Sequence, residues 1–194
     1  MLIFGVEVKT FAGAVPSRSE IYLRTALSDN EVNIAFSGSD AQQSKKDTGY
    51  MHYTVQTNNP TEYTNYISSI DEDVNLNHTD PTVTDKITPF SPATLYSNIP
   101  ENTWGYCDQD LDNCKPIAPA SHPSVIYSPP DIYNSALGFT RTKYGYVITD
   151  VYAIYFVVRV SPNLTPGTYS KKVLFTTITK EFTPSATFFA FSAK

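Results

Sequence analysis

Apolar and polar residues alternate along much of this chain with the two-residue period of β-strands. The longest such stretch, residues 146–179, reads YVITDVYAIYFVVRV, then SPNLTPG, then TYSKKVLFTTIT. Two β-rich runs around a segment of Ser, Pro, Asn and Gly predict a hairpin of long strands. The first run is apolar on both faces. Ile148, Tyr152, Ile154, Phe156, Val158 and Val160 share one face; Val147, Val151, Ala153, Tyr155 and Val157 share the other. Such a strand is either covered on both sides or leaves one face for a partner. In the second run Val173, Phe175 and Thr177 oppose Leu174, Thr176 and Ile178, with Lys171 and Lys172 expected at its solvated end.

The same pattern predicts further strands over 2–15, 21–27, 31–36, 50–57, 63–70, 124–127, 137–141 and 187–191. Residues 77–102 break it with Pro81, Pro89, Pro92 and Pro100. That segment can be ordered only by packing Ile87, Phe90, Leu95 and Ile99 onto the sheets. About ten short strands with Pro- and Asn-rich links specify an all-β sandwich. The expected organisation is a set of N-terminal strands (1–49, an assembly arm or part of the sandwich), the sandwich itself (50–180), and a C-terminal strand or tail (181–194).

Composition agrees. The 194 residues include 14 Tyr, 11 Phe and 14 Pro but only 17% charged residues. Aromatics favour strands, scattered Pro forbids long helices, and so few charges do not suit a coiled coil. Charge is uneven, with nets of −1 over 1–50, −8 over 51–115 and +4 over 116–194. An acidic middle and a basic end can attract within a molecule or between neighbours, or simply be solvated. No basic stripe points to nucleic acid. No apolar run approaches the ~18–20 residues of a transmembrane helix. Residues 1–4 are too short for a signal-peptide core, so the chain is expected to be cytoplasmic or to take its export signal or anchor from elsewhere.

Cys107 and Cys114 help to choose. Their spacing suits a local disulfide in an oxidising compartment, with two free thiols as the other reading. Zinc needs four ligands, and no His or second Cys pair lies near. Between them, Asp108, Asp110 and Asp112 stand at alternate positions. Alternating carboxylates in a tight loop can offer hard oxygens to calcium, or be plainly solvated; the EF-hand pattern itself is not met. Calcium is thus the one cofactor considered.

Three segments carry a resemblance. Val55-Gln-Thr-Asn-Asn-Pro-Thr-Glu-Tyr63, Asn102-Thr-Trp-Gly-Tyr106, and the run from Tyr155 through Pro166-Gly167-Thr168-Tyr169 to Thr179 resemble a family of bacterial cell-surface domains. That family occurs in Gram-positive cell-wall proteins and candidate-phyla bacteria, with motifs TNNPTGY and NTWGY. The resemblance implies an immunoglobulin-like sandwich at the cell surface, structural or adhesive, with no catalysis. Glu62 replaces the family's Gly, the cysteine pair is atypical, and no LPxTG-type sorting signal is present. Trp104, Gly105, Tyr106 and Tyr169 are expected to be structural: a lone Trp beside Gly is a core plug whose ring lies close to backbone. An exposed Trp stacking on sugar is the functional alternative.

An enzyme is not expected. His52, His78 and His122 share no metal spacing, and no nucleophile-elbow or zinc-protease motif occurs. Asn77-His-Thr79 and Asn163-Leu-Thr165 match the N-glycosylation pattern, which matters only with a suitable export route. Two readings follow. One is a structural subunit of an extracellular fibre or pilus, a homo-oligomer in which copies join by strand and face contacts. Phe4, Val6 and Val8, then Phe188, Phe189 and Phe191, are the candidate strands, and Tyr155 and Val157 the candidate face. The other is a monomeric adhesion or carbohydrate-binding module, meeting a host surface or glycan.

Overall fold

A computed structural model describes residues 2–5, 23–29, 31–36, 43–57, 63–107, 111–127, 133–134, 139–140, 148–179 and 191–192. Their strands in chain order are β1 (Leu2–Gly5), β2 (Leu23–Leu27), β3 (Glu31–Ile34), β4 (Lys45–Thr57), β5 (Tyr63–Ser69), β6 (Leu76–His78), β7 (Lys86–Pro89) and β8 (Thr103–Cys107). Then come β9 (Cys114–Lys115), β10 (Ser124–Tyr127), β11 (Tyr133–Asn134), β12 (Phe139–Thr140), β13 (Ile148–Val160), β14 (Tyr169–Ser170), β15 (Val173–Thr179) and β16 (Phe191–Ser192). The fold is the expected all-β, sandwich-like one.

The large sheet has the order β14-β6-β7-β8-β13-β4-β2, with β9 added to β8; the small sheet has the order β10-β5-β15-β16. Two short ladders, β1 with β3 and β11 with β12, stand apart from these. All pairings are antiparallel except β7 with β8. The centre is the full-length pairing of β13 on β4, from Ile148 opposite Thr57 to Val160 opposite Lys45. Pairing extends β4 to Lys45, although the polar stretch Lys45-Lys-Asp-Thr-Gly49 has no strand pattern of its own. A long partner overrides weak local propensity.

The predicted hairpin is corrected. β13 belongs to the large sheet and β15 to the small one; the link 161–172 adds β14 to the far edge of the large sheet and then arches over to β15. Hairpin loops are usually 2–5 residues, and this link is longer. Side chains from the Pro-rich segment hold it: Asn102 Oδ1 accepts the Ser161 N–H at 2.8 Å. Asp85 Oδ2 accepts the Thr165 N–H at 3.0 Å and its hydroxyl at 2.5 Å. Lys171 is not at a solvated end. Its side chain is buried and its Nζ lies 2.5 Å from Asp71 Oδ1.

Between the layers, Met51, Tyr53 and Val55 of β4 and Tyr152, Ile154, Phe156 and Val158 of β13 meet Tyr63 and Ile67 of β5 and Val173 and Phe175 of β15. Tyr53 stacks on Phe175 at 5.3 Å. β2 continues the sheet beyond β4, and Val32 and Ile34 of β3 cover its inner face. Gly49 makes room for them: a Cβ there would lie 2.3 Å from Val32 Cγ1. Of the described N-terminal strands, β2 thus extends the large sheet and β3 packs on its core side.

Two buried tyrosine clusters carry polar atoms into this core. The Tyr53 hydroxyl meets Thr177, whose hydroxyl donates to Asn65 Oδ1 at 2.7 Å. The Tyr63 hydroxyl donates to Asp150 and meets that of Tyr152. Burial pushes the Tyr53 phenol up to about 12, although its bond to Thr177 opposes the shift. Burial, then the bond to Asp150, raises Tyr63 as well. A raised folded-state pKa stabilises the protein below the unfolded value, and that contribution is lost as pH rises from about 10 through the folded value. We expect an alkaline absorbance titration to show buried tyrosines ionising only together with loss of the β-sheet circular dichroism signal, near pH 12 for Tyr53. Completion near pH 10 with the fold intact would contradict this arrangement.

Candidate functional site

Chemistry and recognition can reside only where side chains leave the core, and the two faces of β13 and β8 divide that question. Strand alternation sends Trp104 and Tyr106 inward, opposite Val158 and Phe156, and Thr103, Gly105 and Cys107 outward, opposite Arg159, Val157 and Tyr155. Every residue of β8 is buried, so both faces are covered.

Each residue of the Asn102–Tyr106 motif has a structural task. Asn102 takes a positive φ of 55°, which Asn tolerates, and its amide grips Ser161. The Thr103 hydroxyl donates to Pro100 O at 2.7 Å. Trp104 is fully buried, and its indole N–H donates to Val74 O at 3.0 Å. Gly105 admits an aromatic ring, as the sequence suggested, but the ring is that of Phe90 on the outer side. A Cβ at Gly105 would meet Phe90 at 2.5 Å and Lys115 O at 2.4 Å. Tyr106 lies fully buried beside Trp104 in the core. Tyr169 is also buried; its hydroxyl donates to Thr165 O at 2.9 Å and its ring meets His78 edge-on at 5.0 Å.

Outside β8 and β13 lies a second apolar cluster of Phe90, Ile99, Cys107, Cys114 and Val157, flanked by Tyr96 and Tyr155. Residues 89–100 form its cover, turning through a cis Ser91–Pro92 bond. As expected, Ile87, Phe90 and Ile99 are buried; Leu95 is 48% exposed instead. The disulfide is formed between directly opposed residues of β8 and β9, Cys107 and Cys114. Cys114 and Thr94 exchange both backbone hydrogen bonds at 2.9 Å, and the Tyr96 N–H donates to Leu111 O at 3.2 Å. The disulfide loop is thus stitched to the cover.

That cover corrects one expectation. Val157 is fully buried and belongs to the chain's own second apolar cluster, not to an exposed assembly face. Tyr155 is partly exposed at the border of the cluster. Beyond it the outer sheet face is open. Tyr50 is 60% exposed and Val151 53% exposed. The Tyr50 ring lies 5.8 Å from Tyr155 and 5.7 Å from His52. Neither Tyr50 nor His52 stood out in the sequence as a surface residue. Their signal was present in the alternation of Tyr50, His52 and Thr54 with buried Met51 and Tyr53, but the cross-strand partner Tyr155 lies a hundred residues away.

Phe4 lies in β1, opposite Val32 of β3, and Phe191 in β16, opposite Phe175 of β15. Val6, Val8, Phe188, Phe189, Asp108 and Asp110 lie outside the described residues. Asp112 is exposed, and among the described residues no three His, Cys, Asp or Glu side chains converge as a metal site. Elsewhere acidic groups are engaged structurally. Burial opposes ionisation of Asp73, but bonds from Asn77 and Asn75 and the charge of Lys171 outweigh it and lower its pKa. Bonds from Thr165 lower that of Asp85. Among the described residues no helix is long and apolar enough to cross a membrane. No protein-family model, no curated protein and no solved structure matches this chain.

Proposed function

We propose that this chain is a structural subunit of an extracellular surface fibre whose copies join by an added β-strand. The rim of the small sheet carries the reading. β15 pairs on one side with β5, and on the other β16 lies against its Leu174 and Phe175. Ile178, further along β15, is 46% exposed. A rim strand such as β16, beside an outward apolar side chain, marks a place where a strand from another copy can be added in its stead. The disulfide suits an oxidising compartment, and the resemblance of the Asn102–Tyr106 motif to surface sandwich domains supports the same location.

Negative-stain electron microscopy tests this. The full chain should form filaments. A version lacking residues 187–194 should stay monomeric and bind a peptide of those residues one to one without polymerising, because a free peptide fills the edge but links no second copy. Discrete monomers of the full chain at high concentration would overturn the fibre reading, and filaments from the shortened chain would overturn the role of that strand.

A further inference from the structure

The cover over the outer face of the large sheet stops at Tyr155, and the shelf beyond it carries aromatic side chains open to solvent. Tyr50 stands directly opposite Tyr155, and His52 opposite the small Ala153. The Tyr50 ring is tilted 39° to that of Tyr155, while the His52 ring stands at 78° to it. Cross-strand aromatic contact supports the sheet, yet it leaves Tyr50 60% exposed. Large exposed aromatics grouped on a sheet face are more than the scattered apolar residues of an ordinary surface.

Charge and area narrow the occupant. The outward residues at the centre of the shelf are Tyr50, His52 and Thr54 on β4 and Val151, Ala153 and Tyr155 on β13, with no carboxylate, lysine or arginine. Charged outward positions stand at its ends, Arg24 opposite Gln56 and Lys46 opposite Arg159. The Lys46 ammonium is occupied by Tyr96, bonded to its carbonyl at 2.7 Å and lying 4.0 Å from its ring centre. An anionic ligand would find no countercharge at the centre. Another protein would find too little: a specific interface buries about 800 Å² per partner, whereas Tyr50 and Val151 are the large exposed apolar side chains here. A sugar ring suits the remaining chemistry. Its apolar C–H face can lie on an aromatic ring, and its hydroxyls can bond to Thr54, Gln56 and the His52 imidazole.

We propose that Tyr50, Tyr155 and His52 form a platform that binds an uncharged polysaccharide. The site is independent of polymerisation, since a monomer and a fibre would both present it. Isothermal titration of the full chain with the neutral β-linked hexasaccharides of glucose, N-acetylglucosamine and mannose tests it. At least one should bind, and Tyr50→Ala should weaken that binding by roughly tenfold or more, the loss of one stacking surface. Tyr50→Phe should retain it, and Tyr50→Ala should unfold in urea at the wild-type midpoint, because the ring is largely outside the core. Absence of binding to all three sugars would overturn the platform, as would unchanged binding by Tyr50→Ala. So would a concentration-dependent dimer that Tyr50→Ala abolishes in a protein that ignores the sugars.

Discussion

Val157→Lys is expected to unfold this protein rather than to block its association. Val157 has no exposed surface and lies among Phe90, Ile99 and the Cys107–Cys114 disulfide. An ammonium there would be desolvated in an apolar cluster that offers it no counterion. Leaving a buried charge uncompensated costs about 3–5 kcal/mol. Total stabilities of about 5–15 kcal/mol leave little after such a loss. Urea denaturation followed by circular dichroism should place the midpoint far below wild type, or show no folded baseline. A normal midpoint combined with lost self-association would instead mean that Val157 faces another subunit.

Trp104→Ala carries the second large effect. Two losses combine at this site. The cavity left by an indole in a close-packed core costs about 3–5 kcal/mol. The Val74 carbonyl, which accepts the indole N–H at 3.0 Å, also loses its partner. Trp104→Phe separates the two, because it retains most of the volume and removes only the donor. Its cost should fall between wild type and Trp104→Ala. The same urea experiment reads both variants. Equal, small shifts for the two would mean that Trp104 is not the plug of this core.

The contrast between these variants and Tyr50→Ala measures how the two faces of one sheet differ. Trp104 and Val157 sit on opposite faces of adjacent strands and are both buried, one in the inner core beside Val74 and one under residues 89–100 with the disulfide. Tyr50 sits on the outer face of β4, where that cover has ended. Removal of either covered residue should affect folding, whereas removal of Tyr50 should affect recognition.

Much of this was legible along the chain. Alternation marked the faces of β15, β5 and the second half of β4, because an antiparallel strand with one covered side must alternate. The cysteine spacing admitted the disulfide, and a lone Trp beside Gly marked a core position. Ile87, Phe90, Leu95 and Ile99 stood out as the apolar residues able to hold a Pro-rich crossing in place, and all but Leu95 are buried. The doubly apolar strand β13 posed the correct alternatives, a covered face or a face for a partner.

Which alternative holds was beyond local pattern. Alternation assigns a residue to a face but says nothing about which distant segment covers it. Val157 and Tyr155 are two residues apart on one face, yet one is sealed and the other borders solvent. The difference depends on where residues 89–100 cross the sheet, which Gly105, Phe90 and the Thr94–Cys114 bridge determine together. The arch over 161–172 escaped for the same reason. Its Pro and Gly announce a change of direction, but only Asn102 and Asp85 gripping it from another part of the chain show that it changes sheets. The sequence by itself determined the long strands β5, β13, β15 and the second half of β4, since these follow from local periodicity, and its cysteine spacing allowed the covalent staple. Tertiary structure alone decided the strand partners, the covered half of the outer face and the open aromatic shelf, since these depend on contacts between residues far apart in the chain.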